Sequence, residues 1–128
     1  MVEKTDRAGK GFRKLIIWQR AHQLVLLIYK LSESFPKSEL FGLTSQMRRA
    51  AVSVASNIAE GAARNTKKEF IQFLHNAQGS LSELDTQTVI CRELGYLTDD
   101  EHHRLHTEME RESKLISGLI KFLKKDNR

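Results

Sequence analysis

The apolar residues of this chain recur at spacings of three and four through four long stretches, with no competing two-residue alternation of the kind a strand requires. A helix turns once every 3.6 residues, so this spacing lines apolar side chains along one face. In the first stretch, expected from about Leu15 to Ser34, that face is Trp18, Ala21, Val25, Ile28 and Ser32. Leu24, Leu27 and Leu31 widen it. A helix apolar over so broad an arc needs cover on two sides. The extra cover is either a deep core or a second copy of the chain, which makes Leu24, Leu27 and Leu31 the candidate oligomer interface.

Pro36 is the single proline and divides the first pattern from the next. It drives Phe35 out of the α region and so helps to end the first helix. The second helix is expected to start at Leu43 or Thr44 and reach about Ala62, with Met47, Ala51, Val54, Ile58 and Ala62 inward. Its many small residues, Ala50, Ala51, Ser53, Ala55, Ser56, Ala59 and Gly61, permit close approach of neighbours. Thr66 followed by Glu69 forms a capping box that opens a third helix running to about Leu94. Its inner face is Phe70, Phe73, Leu74, Ala77, Leu81, Leu84, Thr88 and Cys91, and Gly95 is the expected stop just past its end. Thr98 and Glu101 repeat the capping box for a fourth helix to about Lys124. That helix turns Leu105, Met109, Leu115 or Ile116, Leu119, Phe122 and Leu123 inward. Four long helices on short connections predict an all-α, antiparallel, up-down-up-down four-helix bundle. Residues 12–128 form its single domain, and residues 1–11, charged and without apolar period, read as a flexible basic tail.

With 128 residues, 40% hydrophobic and 29% charged, such a bundle can sustain its own core. The longest apolar run, Leu24 to Tyr29, is far below the ~20 residues that span a bilayer. No export signal opens the chain and Cys91 is the single cysteine, so a cytoplasmic protein without disulfides or membrane contact is expected.

The net charge of +5 is segregated along the chain. Residues 1–20 and 37–68 each hold six basic and two acidic side chains, residues 121–128 hold four and one, and residues 83–112 hold three and nine. Positive blocks can meet polyanions or the acidic block of a neighbouring copy. The nucleic-acid candidates are Arg13, Lys14 and Arg20 near the start, with Arg48, Arg49, Arg64, Lys67 and Lys68 in the middle block. Arg64, Lys67 and Lys68 crowd one connection, where the positive N-terminus of the third helix adds to their field. A solvated basic face explains the same residues without a ligand.

Beside the apolar face of the second helix runs a polar line, Gln46, Arg49, Ser53, Asn57 and Glu60, and the third helix carries Asn76, Ser80, Glu83 and Gln87 at matching spacing. Such lines form either a hydrogen-bonded ladder between the helices, with Arg49 paired to Glu83, or two solvated faces. Gly79, a poor helix former in mid-helix, favours close packing there. His102, His103 and His106 share one and a half turns, but no Glu-x-x-His pattern repeats across helices, so no metal or other cofactor is expected. Cys91 lies on an apolar face, where a thiol is inert, and no phosphate loop or nucleophile elbow is present. An enzyme is the least supported class. A protein–protein adaptor whose charge blocks serve assembly is the alternative to nucleic-acid association.

Three segments carry a resemblance: FRKLIIWQRAHQLVLLIY from Phe12, FPKSELFGLTSQMRRAAVSVASNIAEGAAR from Phe35 and KKEFIQFLHNAQGSLSELDTQ from Lys67. They resemble the bacterial four-helix-bundle proteins of the 23S ribosomal RNA intervening-sequence family, over about Phe12 to Lys124. The same superfamily includes the accessory variability determinant of diversity-generating retroelements. The resemblance implies a bundle that assembles into a ring, typically a homopentamer, with a basic surface. In the retroelement branch it implies RNA or DNA and a reverse transcriptase as partners.

Overall fold

The computed structural model describes residues 11–126. Two short 3-10 turns, Gly11–Lys14 and Lys37–Glu39, accompany four α-helices: α1 (Ile16–Ser32), α2 (Leu43–Ala62), α3 (Lys67–Glu93) and α4 (Asp99–Asp126). Of the expected tail, only Gly11 falls among the described residues, and it opens the first turn.

Helix ends follow local chemistry. At α3, the backbone N–H of Glu69 donates to Thr66 Oγ1 at 3.1 Å. At α4 the box is reciprocal: the N–H of Glu101 donates to Thr98 Oγ1 at 3.0 Å, and that of Thr98 to Glu101 Oε1 at 2.9 Å. Gly95 takes φ +82°, where a side chain would be strained. It lets the N–H of Tyr96 reach Cys91 O at 2.8 Å and its own N–H reach Arg92 O at 3.0 Å, which satisfies the last carbonyls of α3. α2 lacks a cap from Gly42, and Glu39 replaces it: Oε1 accepts from Leu43 N at 3.2 Å while Oε2 accepts from Tyr96 O–H at 3.0 Å. Phe35, buried beneath, packs its ring 5.5 Å from Tyr96. The α1–α2 and α3–α4 connections therefore close one end of the bundle together.

Pairs across the seams give the directions. Met47 meets Cys91, and Ser53 meets Ser80, along α2 and α3. Asp85 meets His106, and Gln78 meets Ser117, along α3 and α4. Rising numbers on one helix meet falling numbers on the next, so neighbours are antiparallel. α1 packs on α2 and α4, and among the described residues never on α3. The arrangement is an up-down-up-down four-helix bundle around one core.

The core corrects several expected faces. α1 buries Ile17, Ala21, Leu24, Ile28 and Ser32, so its inner face is turned toward Leu24, while Trp18 and Val25 lie at the margin. Leu24 is 2% exposed inside its own bundle and is no part of a free surface. Leu27 and Leu31 are half-buried. On α4 the buried line is Leu105, Met109, Glu112, Ile116, Ile120 and Leu123, and Phe122 is 61% exposed. Close packing occurs at Gly61, where a Cβ would stand 2.7 Å from Phe73 Cβ, and not at Gly79, where it would meet nothing within 4 Å.

Candidate nucleic-acid interface

Antiparallel order delivers the start of α1, the α2–α3 connection and the end of α4 to the same end of the bundle. Three basic groups therefore converge there from distant sequence. Arg13 and Lys14 ride on the first 3-10 turn, which lies against α1 and α2. That turn is held by Gln19 Nε2 donating to Arg13 O at 2.9 Å and by the Phe12 and Trp18 rings at 5.1 Å. Arg64 follows α2, with Lys67 and Lys68 on the first turn of α3. Lys121, Lys124 and Lys125 sit on the last turns of α4 and are exposed. In the sequence these three belong to a separate positive block, residues 121–128, and are not among the named nucleic-acid candidates; the antiparallel topology is the signal that adds them to the patch.

Arg64 is oriented: its guanidinium lies 4.8 Å from the Phe73 ring centre and donates to Glu60 Oε2 at 3.3 Å. It remains partly open to solvent. The opposite end is mixed: Glu33 after α1, Glu93 at the end of α3, and Asp99, Asp100 and Glu101 in the first turn of α4 stand beside Lys30, Lys37, Arg48 and Arg92. The excess of positive charge is therefore gathered at one end of the bundle.

Three expected members lie elsewhere. Arg48 is near the opposite end, 4.6 Å over the Tyr29 ring, and donates to Ser32 Oγ at 2.9 Å and Tyr29 O at 3.4 Å. Its charge is engaged in holding α1 to α2. Arg49 is exposed on the outer side of α2. Arg20 stands midway along α1, 3.8 Å from Glu108.

The polar lines join at one level. Ser53 Oγ and Ser80 Oγ are 2.8 Å apart, and Asn57 Nδ2 donates to Ser53 O and Oγ at 2.8 and 3.0 Å. Gln46 is exposed, Glu60 turns to Arg64, and Asn76 accepts from Gln72. Arg49 and Glu83 form no ion pair among the described residues; Glu83 accepts instead from Gln87 Nε2 at 3.5 Å. The contact is a bridge of small hydroxyls rather than a ladder, because short side chains let α2 and α3 approach while the longer ones point out.

Titratable groups behave as their surroundings dictate. Burial pushes the Cys91 thiol up to about 11, with Glu39 adding to it. Desolvation lowers His102, helped by Arg92, and its ring stacks 6.3 Å from His106. His106 Nδ1 is 3.7 Å from Asp85 Oδ1. No group of three metal-ligating side chains occurs among the described residues. Sequence reading missed Glu112, 1% exposed, with both carboxylate oxygens lacking a hydrogen-bond partner. Its signal was present: 105, 109, 112 and 116 follow the helical spacing of the core face. No helix of the described residues is long and apolar enough to cross a membrane.

This geometry belongs with known relatives. A structure titled as a protein of unknown function from the S23 ribosomal protein family of Bacteroides thetaiotaomicron VPI-5482 has the same fold, with a TM-score of 0.75 at 19% identity. The likeness covers 83% of this chain and 99% of that one. No curated protein matches. The model of the 23S rRNA-intervening sequence protein family matches residues 13–118, and the chain belongs to that family.

Proposed function

We propose that this chain is a non-enzymatic, self-associating bundle that contacts nucleic-acid phosphates through its basic end. The observation that supports this most is the convergence of Arg13, Lys14, Arg64, Lys67, Lys68, Lys121, Lys124 and Lys125 from three separate segments onto one end. Phosphate contact needs clustered cations and no base-reading element, so backbone binding without sequence preference is the mode that fits. Two helix N-termini, those of α1 and α3, point their positive dipole ends the same way. Repetition of a modest patch in an assembly multiplies its affinity. An inert thiol at Cys91 fits a binding role rather than nucleophilic chemistry.

The test is fluorescence anisotropy with a labelled 20-nucleotide RNA and its DNA equivalent. Arg64→Glu, Lys67→Glu and Lys68→Glu together abolish binding, whereas Asp99→Lys with Asp100→Lys at the opposite end does not weaken it. Equal binding by wild type and the triple variant removes the basic end from the account. No binding by an assembled wild type selects the adaptor reading instead.

A further inference from the structure

Toward the basic end, two flat side chains rest on rings that lie beneath them. On α1 the exposed His22 imidazole lies nearly parallel over the Trp18 indole, with ring centres 5.0 Å apart and planes 19° apart. Trp18 is itself half-buried against the core, and the Phe12 ring stands across it at 66°. Indole and imidazole form a short stack whose outer member faces solvent. On the other side of α2, the Arg64 guanidinium lies 4.8 Å over the Phe73 ring, and its side chain keeps 40% of its surface open. The N–H groups of a guanidinium lie in its plane, so the bond to Glu60 does not occupy its outer face.

Both stacks stand at one level. Arg48 bonds Ser32, which sets these two residues opposite each other on α2 and α1. Fourteen residues on from Arg48 is Ala62, and fourteen back from Ser32 is Trp18, so antiparallel packing sets Trp18 beside the last turn of α2. Phe12 rides on the 3-10 turn that packs on α2 as well as on α1, which keeps the stack on the α2 side. Phe73 reaches the same turn from α3, where it stands against Gly61. α2 lies between α1 and α3, so the two stacks flank its C-terminal turn, with Arg13, Lys14 and Lys68 exposed at the same end. These aromatic and basic residues are scattered along the chain, and the fold interleaves them.

Phosphate contact asks only for positive charge, which any cationic side chain supplies. A plane backed by a ring offers something further. An unpaired base stacks on an imidazole or guanidinium face whatever its identity, because every base has a π-face. Paired bases in a duplex present only their edges in the grooves. We infer that the basic end takes single-stranded nucleic acid, with one unpaired base stacked on the outer face of His22 and another on that of Arg64, while Arg13, Lys14 and Lys68 hold the phosphates. This rests on the phosphate contact proposed above and names its substrate class. The rings beneath hold both platforms in place before binding, so little side-chain freedom is lost when a base arrives.

Fluorescence anisotropy of the full chain with a labelled 20-nucleotide RNA and with an abasic strand of the same length separates bases from phosphates, with circular dichroism as the control for folding. The strand that carries bases should bind wild type at least about tenfold tighter than the abasic one. Arg64→Lys keeps the charge and loses the plane, and His22→Ala removes the imidazole. Each should narrow the ratio between the two strands severalfold, and the two together should bring it close to one. Deoxy strands should give the same ratio, because the stacking face belongs to the base; a ratio found with RNA alone overturns stacking as its source. Equal affinity of wild type for both strands overturns stacking and leaves phosphate contact standing. A ratio unchanged in the double variant overturns the two platforms named here. No binding of either strand overturns the phosphate contact and the stacking together.

Discussion

Replacing Glu112 by glutamine should make the protein more stable, by an amount that depends on pH. Glu112 lies on the core line of α4, and burial raises its carboxyl from the ordinary 4.5 to about 8, with Arg20 opposing only in part. Arg20 on α1 and Glu108 on the same helix are the charges beside it, and neither bonds it. Unfolded, Glu112 releases its proton near 4.5; folded, it keeps the proton up to about 8. Between those values the folded chain holds the extra proton, so the stability contributed by this group falls as pH rises through the window and levels off above it. At about 1.4 kcal/mol for each pH unit between the two values, the loss is on the order of 5 kcal/mol across the window and about 3 kcal/mol at pH 7. Glutamine has the same shape and no proton to lose. Urea unfolding of Glu112→Gln and wild type from pH 4 to 9 should give near-equal stability at pH 4 and a gap of about 3 kcal/mol in favour of the variant at pH 7. A gap that does not change with pH would refute the reasoning, because the carboxyl would then be ionising in the core at no cost.

Glycine substitutions should diverge. Gly61→Ala forces a Cβ into Phe73 and Phe70 and should cost about 1–3 kcal/mol in urea unfolding, whereas Gly79→Ala meets open space and should gain up to about 1 kcal/mol. Thr98→Ala removes the hydroxyl that caps α4 and should lower stability by about 1 kcal/mol, read from the same transition. Cys91, buried beside Met47 with its thiol raised to about 11, should react with a thiol reagent at neutral pH only as fast as the bundle opens. Labelling at the rate of a free thiol in the native protein would contradict that.

Much of the bundle was legible because its punctuation is local. Thr66 with Glu69, Thr98 with Glu101, Pro36 and Gly95 each act on the backbone within a few residues, so helix limits fell within two residues of those observed. Facing was less legible. On α1, the arcs through Trp18 and Leu24 are both apolar, and only the position of α4 decides that Leu24 goes inside. Glu112 was passed over because a carboxylate is rarely fully buried, and here the helical register overrides residue type. Gly79 and Gly61 look alike in sequence, but only Gly61 has aromatic side chains of α3 against it. The basic end was half visible. Arg64, Lys67 and Lys68 are neighbours in the chain, while Lys121 to Lys125 and Arg13 join them through topology alone. Arg48 left the group because Tyr29 and Ser32, sixteen or more residues away, occupy it.

The most direct test of the role assigned to the basic end is the salt dependence of nucleic-acid binding by the assembled wild type. Neutralising about five phosphates gives a slope of about −4.5 when log affinity for duplex DNA is plotted against log salt concentration. The slope should flatten, with affinity lost, when Arg64, Lys67 and Lys68 become glutamate. Binding that is absent at low salt, or whose slope is the same in both proteins, would contradict the account.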